Sequence, residues 1–310
     1  MGQGPEEYIS MTSIILDEEN DEMFVHCSSL KNIFTYDLFG NFKQNFKYMV
    51  GGDKSSRLSA SINYDPIYNF DRDNLICFDF TSGRNFSSAT EVDVEPRNIF
   101  WIISKLDGSI TKEIQIPFEK KILQVLFLLE TGRIGVVYNK GLIPYRDGWI
   151  LTETSADTIY NYSANHEMTP FIVRTPSVQS MNPEVFLFPG VLTDRYYFLQ
   201  TIKKEYESNT AFRGNLRKID LVYDKQEDTT FECVVYNGDF ASKRPVANMV
   251  EGVPIFTVVN SNDVAFIENI EAFELVEAYE KGELKGRLKE IAANMDEEDN
   301  PVIMVAKYKK

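Results

Sequence analysis

Asn32-Ile-Phe-Thr-Tyr-Asp-Leu-Phe-Gly-Asn-Phe-Lys-Gln-Asn-Phe46 decides the fold. Asn32 to Asp37 is a short run rich in β-branched and aromatic residues. Phe39-Gly-Asn-Phe42 supplies a tight turn, and Lys43 to Phe46 runs back. With Met23-Phe-Val-His-Cys27 before it, the pattern is strand, strand, turn, strand. The pattern returns three times. Asn98 to Lys105 turns at Leu106-Asp-Gly-Ser109 into Ile110 to Ile116. Asp157 to Tyr162 turns around Ala164-Asn-His166 into Phe171 to Val173. Arg217 to Tyr223 turns at Asp224 to Asp228 into Thr230 to Tyr236. The units begin 66, 59 and 60 residues apart. An all-β repeat of that period points to blades of four antiparallel strands repeated around an axis, with stacked sandwiches as the alternative. Ile122 to Leu129 reads as a buried strand.

Working outward, the C-terminal part changes character. Val253 to Val259 and Asp263 to Ile267 still read as strands. Glu271 to Lys281 and Glu283 to Met295 are made of helix formers, with Leu284, Leu288 and Ile291 at helical spacing and Gly282 between the two stretches. Pro301 to Ala306 reads as a final strand. No linker or low-complexity segment divides the chain, so residues 1–310 read as a single domain.

Composition excludes several functions. The 310 residues carry 47 acidic and 32 basic side chains, a formal net charge of −15. That opposes general nucleic-acid binding and docking on an anionic membrane. Hydrophobic residues make up 43 % of the chain, enough to form a core. Cys27, Cys77 and Cys233 are too sparse for a disulfide framework or a zinc site and read as buried thiols, with one bridge among them as the alternative. The N-terminal residues lack the basic start and apolar stretch of a signal peptide, and no run is long enough for a membrane helix.

Five segments, taken in order, carry a family resemblance. Gly2-Gln-Gly-Pro-Glu-Glu-Tyr8, followed by the Tyr-Asp-x-x-Gly-x-Phe turn at Tyr36 to Phe42, resembles the six-bladed β-propellers common in anaerobic gut bacteria, distantly similar to NHL-type propellers. Asp157-Thr-Ile-Tyr160 resembles a strand of that family, and Leu288 to Ile291 with Glu298 to Met304 resembles its C-terminal end. The resemblance implies a β-propeller, a lipoprotein family of unknown function and an extracytoplasmic site in the cell envelope. It also implies a further blade before Gly2, against which five units are counted here. An exposed apolar face or a gap is therefore expected next to the first residues.

The chemical motifs are few. His26 alternates with Phe24 along a strand and reads as structural; His166 lies in a polar turn and reads as solvated. Neither has a positioned partner in sequence, so no catalytic residue is assigned. Asp17 to Glu22, Asp71 to Asp73 and Asp296 to Asp299 lack the ligand spacing of a calcium loop and read as solvated turns, so no metal or cofactor is assigned. Aromatic and cationic residues gather at Tyr145, Arg146 and Trp149, and at Arg195 and Tyr196. Such groups suit stacking on sugars or peptide side chains, although blade packing consumes the same residue types. The expectation is a non-enzymatic binding module for a glycan, peptide or protein partner. The alternative is a propeller hydrolase or lyase with a channel metal or carboxylate site.

Overall fold

The computed structural model describes residues 10–48, 64–79, 98–128, 133–137, 141–206, 216–246, 256–258 and 263–309. The Gly2 to Tyr8 segment lies outside them. The first sheet orders β1 (Ser13–Asp17), β2 (Glu22–Cys27), β3 (Asn32–Asp37) and β4 (Phe42–Lys47) consecutively, all antiparallel. The second repeats the order with β5 (Tyr64–Asn69), β6 (Asn74–Asp79), β7 (Phe100–Ser104) and β8 (Ile110–Ile114). β9 (Val125–Leu128) and β10 (Arg133–Val136) form a separate hairpin. The third sheet is β11 (Leu142–Tyr145), β12 (Gly148–Leu151), β13 (Thr158–Ser163) and β14 (Met168–Val173).

The fourth sheet is β15 (Val185–Leu192), β16 (Tyr196–Tyr206), β17 (Leu216–Asp224) and β18 (Thr229–Glu232). A short hairpin of β19 (Val235–Asn237) and β20 (Arg244–Val246) follows. The last sheet orders β21 (Phe256–Val258), β22 (Val264–Ile270) and β23 (Val302–Lys307), with α1 (Ala272–Glu280) and α2 (Gly286–Ala292) inserted between β22 and β23. Four consecutive four-strand meanders and a fifth, helix-bearing sheet are the blades that the sequence spacing predicts.

By contact density the chain forms two compact units. The first comprises residues 1–136, 140–142 and 150–180. Its core joins the inner faces of the first two sheets: Ile15, Phe24, Ile33 and Phe46 meet Tyr64, Leu75, Trp101 and Ile103. The middle strands β2, β3, β6 and β7 are nearly continuously buried, as strands covered on both faces must be. Gly108 shows how tightly the two sheets fit. It holds φ +71°, and a Cβ there would lie 2.8 Å from the Phe46 ring and from the Tyr48 backbone.

Two buried ion pairs fasten this unit. The Lys105 ammonium, at the end of β7, donates to Asp17 Oδ2 at 2.6 Å and to the carbonyl oxygens of Asp71 and Arg72 at 2.6 and 3.1 Å. Asp17 is fully buried, so the solvated turn expected at residues 17–22 is corrected at its first residue. The reason is long-range: a lysine 88 residues away fills the carboxylate's coordination. Burial pushes the Asp17 carboxyl up, but hydrogen bonds from Lys105 and Asn20 outweigh it and hold it below the usual carboxylate range. Lys121 donates to both oxygens of Glu153 at 2.8 and 2.7 Å, and Ser155 N donates to the same carboxylate. Next to this pair in the chain, Gln124 donates to the Thr154 hydroxyl and the half-buried Gln179 donates to the Ser155 carbonyl oxygen.

The second unit comprises residues 137–139, 143–149 and 181–310. Phe186 and Phe188 of β15 are fully buried. Ile270, Leu275, Leu284 and Leu288 bind the two helices to one face of the last sheet. The other face of that sheet is open: Ile267, Ile303 and Val305 are exposed, and β23 alternates strictly along its length. Ile267 and Val305 are direct cross-strand partners, so the exposed apolar residues adjoin. No described helix is long and apolar enough to cross a membrane.

Candidate functional site

All five residues singled out in the sequence fall in the second unit, at the ends of hairpins. Tyr145 ends β11 and is buried; Trp149 follows in β12 and is also buried, 7 % exposed. The two-residue connection between these strands holds Arg146 at φ +53°, which sends its side chain outward. The guanidinium covers the Tyr145 ring at 5.3 Å, and Nη2 donates to Asp194 Oδ1 at 3.0 Å. Asp194 belongs to the turn between β15 and β16, where Thr193 closes the loop through its hydroxyl and the Tyr196 backbone.

Arg195 and Tyr196 behave differently. Arg195 chelates Asp224: Nε donates at 3.0 Å and Nη2 at 2.6 Å to Oδ2. Its guanidinium lies 4.8 Å from the Tyr196 ring centroid. Hydrogen bonds from Arg195 hold the Asp224 carboxyl below the usual range. The β16–β17 register decides which residues can act together. Tyr196 faces Asp224 and Tyr197 faces Tyr223, so these successive pairs point to opposite faces of the sheet. Arg195, Tyr196 and Asp224 therefore sit on one face, while Tyr197, Tyr223 and their neighbours sit on the other.

Tyr145 and Arg146 join the second of these faces. A hydrogen bond links the Tyr145 and Tyr197 side chains. The Lys225 ammonium lies 4.6 Å from the Tyr197 ring centroid and donates to the Thr193 carbonyl oxygen at 3.3 Å. Tyr308, just beyond β23, donates its hydroxyl to the Leu192 carbonyl oxygen at 3.0 Å. Burial pushes Tyr197 up to about 12, with Tyr145 adding to the effect. Burial does the same to Tyr308, with Tyr145 and Asp194 contributing, so both remain neutral phenols through the physiological range. Burial holds Lys225 below the usual lysine range; the Asp194 carboxylate opposes this and Arg146 adds to it.

The structure thus divides the candidate set. Tyr145 and Arg146 meet Asp194, Tyr197, Lys225 and Tyr308; Arg195 and Tyr196 turn away with Asp224; Trp149 is buried. Lys225 and Tyr308 were not singled out in the sequence, and Tyr197 only as the end of the Asp194 to Tyr197 stretch. Tyr197 was readable as the neighbour of Tyr196. Nothing local marks Lys225 or Tyr308, which arrive through sheet register and through the chain's last strand.

The remaining candidates read as structure. His26 is fully buried beside Tyr48, with ring centroids 5.6 Å apart, and burial lowers it to about 4. His166 is exposed but not merely solvated: Nδ1 is 2.9 Å from the Tyr162 hydroxyl and the ring stacks on Phe70 at 5.1 Å. Asp71 accepts from the backbone N–H groups of Asp73 and Asn74, which makes it a turn cap. The three cysteines are free thiols, Cys27 and Cys77 buried and Cys233 half-buried. Among the described residues, no group of three or more His, Cys, Asp or Glu side chains is arranged to hold a metal ion.

Comparison with known proteins supports the reading of the sheets. The family model DUF5128, a 6-bladed beta-propeller, matches residues 1–247. No curated protein matches the chain. Among solved structures, a candidate exported protein from Bacteroides fragilis NCTC 9343 aligns with TM-score 0.56 at 15 % identity, covering 100 % of this chain and 80 % of that one. A likeness at that identity shows the fold alone. An acylaminoacyl peptidase from Pyrococcus horikoshii aligns with TM-score 0.31 at 12 % identity, over 84 % of this chain and 41 % of that one, too loosely to carry an argument.

Proposed function

Because the chain belongs to the DUF5128 6-bladed β-propeller family, we propose that it is a non-enzymatic binding module of the cell envelope, with residues 1–310 part of one propeller domain and a glycan as its ligand. The observation that carries this reading is convergence. Arg146 from the β11–β12 turn, Asp194 from the β15–β16 turn, Lys225 from the β17–β18 turn and Tyr308 after β23 gather around Tyr145 and Tyr197. Turns held by sheets are where binding groups can vary without disturbing the fold. Aromatic faces beside guanidinium, carboxylate and hydroxyl groups suit a pyranose, which offers an apolar C–H face and a rim of hydroxyls. Arg146 is the ligand contact; Tyr145 lies under its guanidinium and Trp149 is buried in β12. Arg195 and Tyr196 form a smaller, separate contact on the other face. The extracytoplasmic location is supported by the likeness to a candidate exported protein.

The test is a glycan array with the wild-type protein, Arg146→Ala and Tyr197→Ala. The reading expects at least one glycan bound by the wild type and lost by Arg146→Ala. Retention of every glycan by both variants would move binding elsewhere. Silence across the array would refute the glycan assignment.

A further inference from the structure

The charge pairing on the Tyr197 face narrows the ligand. Two cations, Arg146 and Lys225, share this face, and the ion pair on it is between Arg146 and Asp194. Lys225 makes no ion pair among the described residues; its ammonium rests on Tyr197 and on the Thr193 carbonyl oxygen, next to Asp194 in sequence. Arg195 is not part of this balance, since Asp224 chelates it on the opposite face. Asp147 is exposed and pairs with neither cation among the described residues. Asp228 also lies on this face, accepting from the Tyr223 hydroxyl at 2.7 Å, so what marks the face is not its net charge but a lysine without an ion pair among the described residues beside an arginine whose partner is solvent-exposed.

That partner carboxylate is held loosely. The Asp194 side chain is 98 % exposed and the Arg146 side chain 59 %. An exposed pair gains little from Coulomb attraction against water and is further screened by salt, so exchanging its carboxylate costs little. The contrast with the buried Lys121–Glu153 pair is direct, because there neither partner can reach another ion. A surface arginine that keeps a replaceable carboxylate beside a second, unpaired cation is arranged for an incoming carboxylate.

We infer that the site takes an acidic glycan: a uronic acid carboxylate displaces Asp194, bridges Arg146 and Lys225, and the sugar lies along Tyr197 and Tyr223. These tyrosines are cross-strand partners with ring centroids 6.1 Å apart and planes tilted by 42°, so Tyr223, its hydroxyl held by Asp228, offers a second ring beside the one that Lys225 covers. A uronic acid places its carboxylate one bond from a ring whose apolar face can stack on a tyrosine, which an acidic peptide does not. This inference rests on the glycan reading above. Asp194 is then an internal competitor, and its removal strengthens binding, the reverse of what loss of a structural contact would do.

The experiment titrates the protein calorimetrically with oligogalacturonate, its methyl ester, a neutral glucan oligomer and oligoglutamate. Oligogalacturonate binds, the methyl ester binds at least ~10-fold more weakly, and raising sodium chloride weakens the acid form selectively. Asp194→Asn tightens oligogalacturonate several-fold, while Arg146→Ala loosens it by ~10-fold or more. Equal binding of acid and ester, or of the neutral glucan, overturns the inference and leaves the glycan reading standing. Binding of oligoglutamate in preference to oligogalacturonate overturns both in favour of an acidic peptide. Weaker oligogalacturonate binding by Asp194→Asn contradicts the competitor role outright.

Discussion

The Lys121–Glu153 pair of the first unit and the Arg146–Asp194 pair of the second each join a cation to a carboxylate at similar distances, 2.7 and 3.0 Å. Their surroundings differ completely. Lys121 and Glu153 are 3 % and 1 % exposed, and the Glu153 carboxylate also accepts from the Ser155 backbone N–H. Arg146 and Asp194 stand in water. Burial decides the role: a desolvated pair is part of the fold because neither charge can find another partner, whereas a solvated pair is exchangeable. Ion-pair distance alone does not separate scaffold from site.

The sharpest way to break this contrast is to remove one partner of the buried pair. Lys121→Ala leaves the Glu153 carboxylate buried and unpaired, which costs about 3–5 kcal/mol and lowers Tm by roughly 10 °C. Replacing both, Lys121→Met with Glu153→Leu, recovers most of that loss, since an apolar pair of similar volume has no charge to desolvate. Calorimetric melting of the two variants checks this. A single substitution with no effect on Tm would show that the pair does not fasten the unit.

Acid sharpens the comparison next. His26 is lowered to about 4 by burial. Above pH ~6.5 the ring is neutral in both states and contributes nothing to the pH dependence. Below it the unfolded chain takes up a proton that the folded chain refuses, so stability falls from pH ~6.5 to ~4 by up to ~3 kcal/mol. Asp17 acts in the same direction by the opposite route. Its folded-state value is depressed, so its contribution is present above the unfolded carboxylate value and lost as pH falls through the folded one. Urea midpoints at pH 7 and 4.5 measure the slope, and His26→Gln should flatten it. An unchanged slope would place the acid sensitivity elsewhere.

Much of this architecture was legible, and the reasons are local. The turn at Asp37 to Asn41 is a sequence statement: Asp37 Oδ1 accepts from the N–H groups of Phe39 and Asn41, and Gly40 takes φ +87°. The four strand–turn–strand units follow from alternation and turn chemistry of that kind. What could not be read is what depends on partners far away in sequence. Asp17 looked solvated because Lys105 is invisible from residues 17–22. Trp149 looked like a ligand platform because its residue type suits stacking and packing equally, and its burial is visible only in the folded chain. Tyr145 and Tyr196 looked like members of one site, but the β16–β17 register sends Tyr196 to one face and Tyr197 to the other. A one-residue change of face is beyond any composition argument.

A smaller effect separates the two arginines. Arg195→Ala strips a chelating donor from Asp224, which is itself buried, and should lower Tm measurably but by less than Lys121→Ala. Arg146→Ala should leave Tm within ~2 °C of the wild type, since exposed substitutions that break no buried contact are close to neutral. Thermal scans of both variants under one condition check the order; a larger loss for Arg146→Ala would reverse the assignment of scaffold and site.

The most direct test of the division between scaffold and site measures Tm and oligogalacturonate affinity on the same Arg146→Ala and Lys121→Ala samples, with affinity taken well below both midpoints. The account predicts a crossed result: Arg146→Ala keeps its midpoint and loses affinity by ~10-fold or more, while Lys121→Ala loses its midpoint and keeps wild-type affinity. If Arg146→Ala instead melts early while its folded fraction binds like wild type, the Arg146–Asp194 pair is scaffold and the site is not where the turns converge.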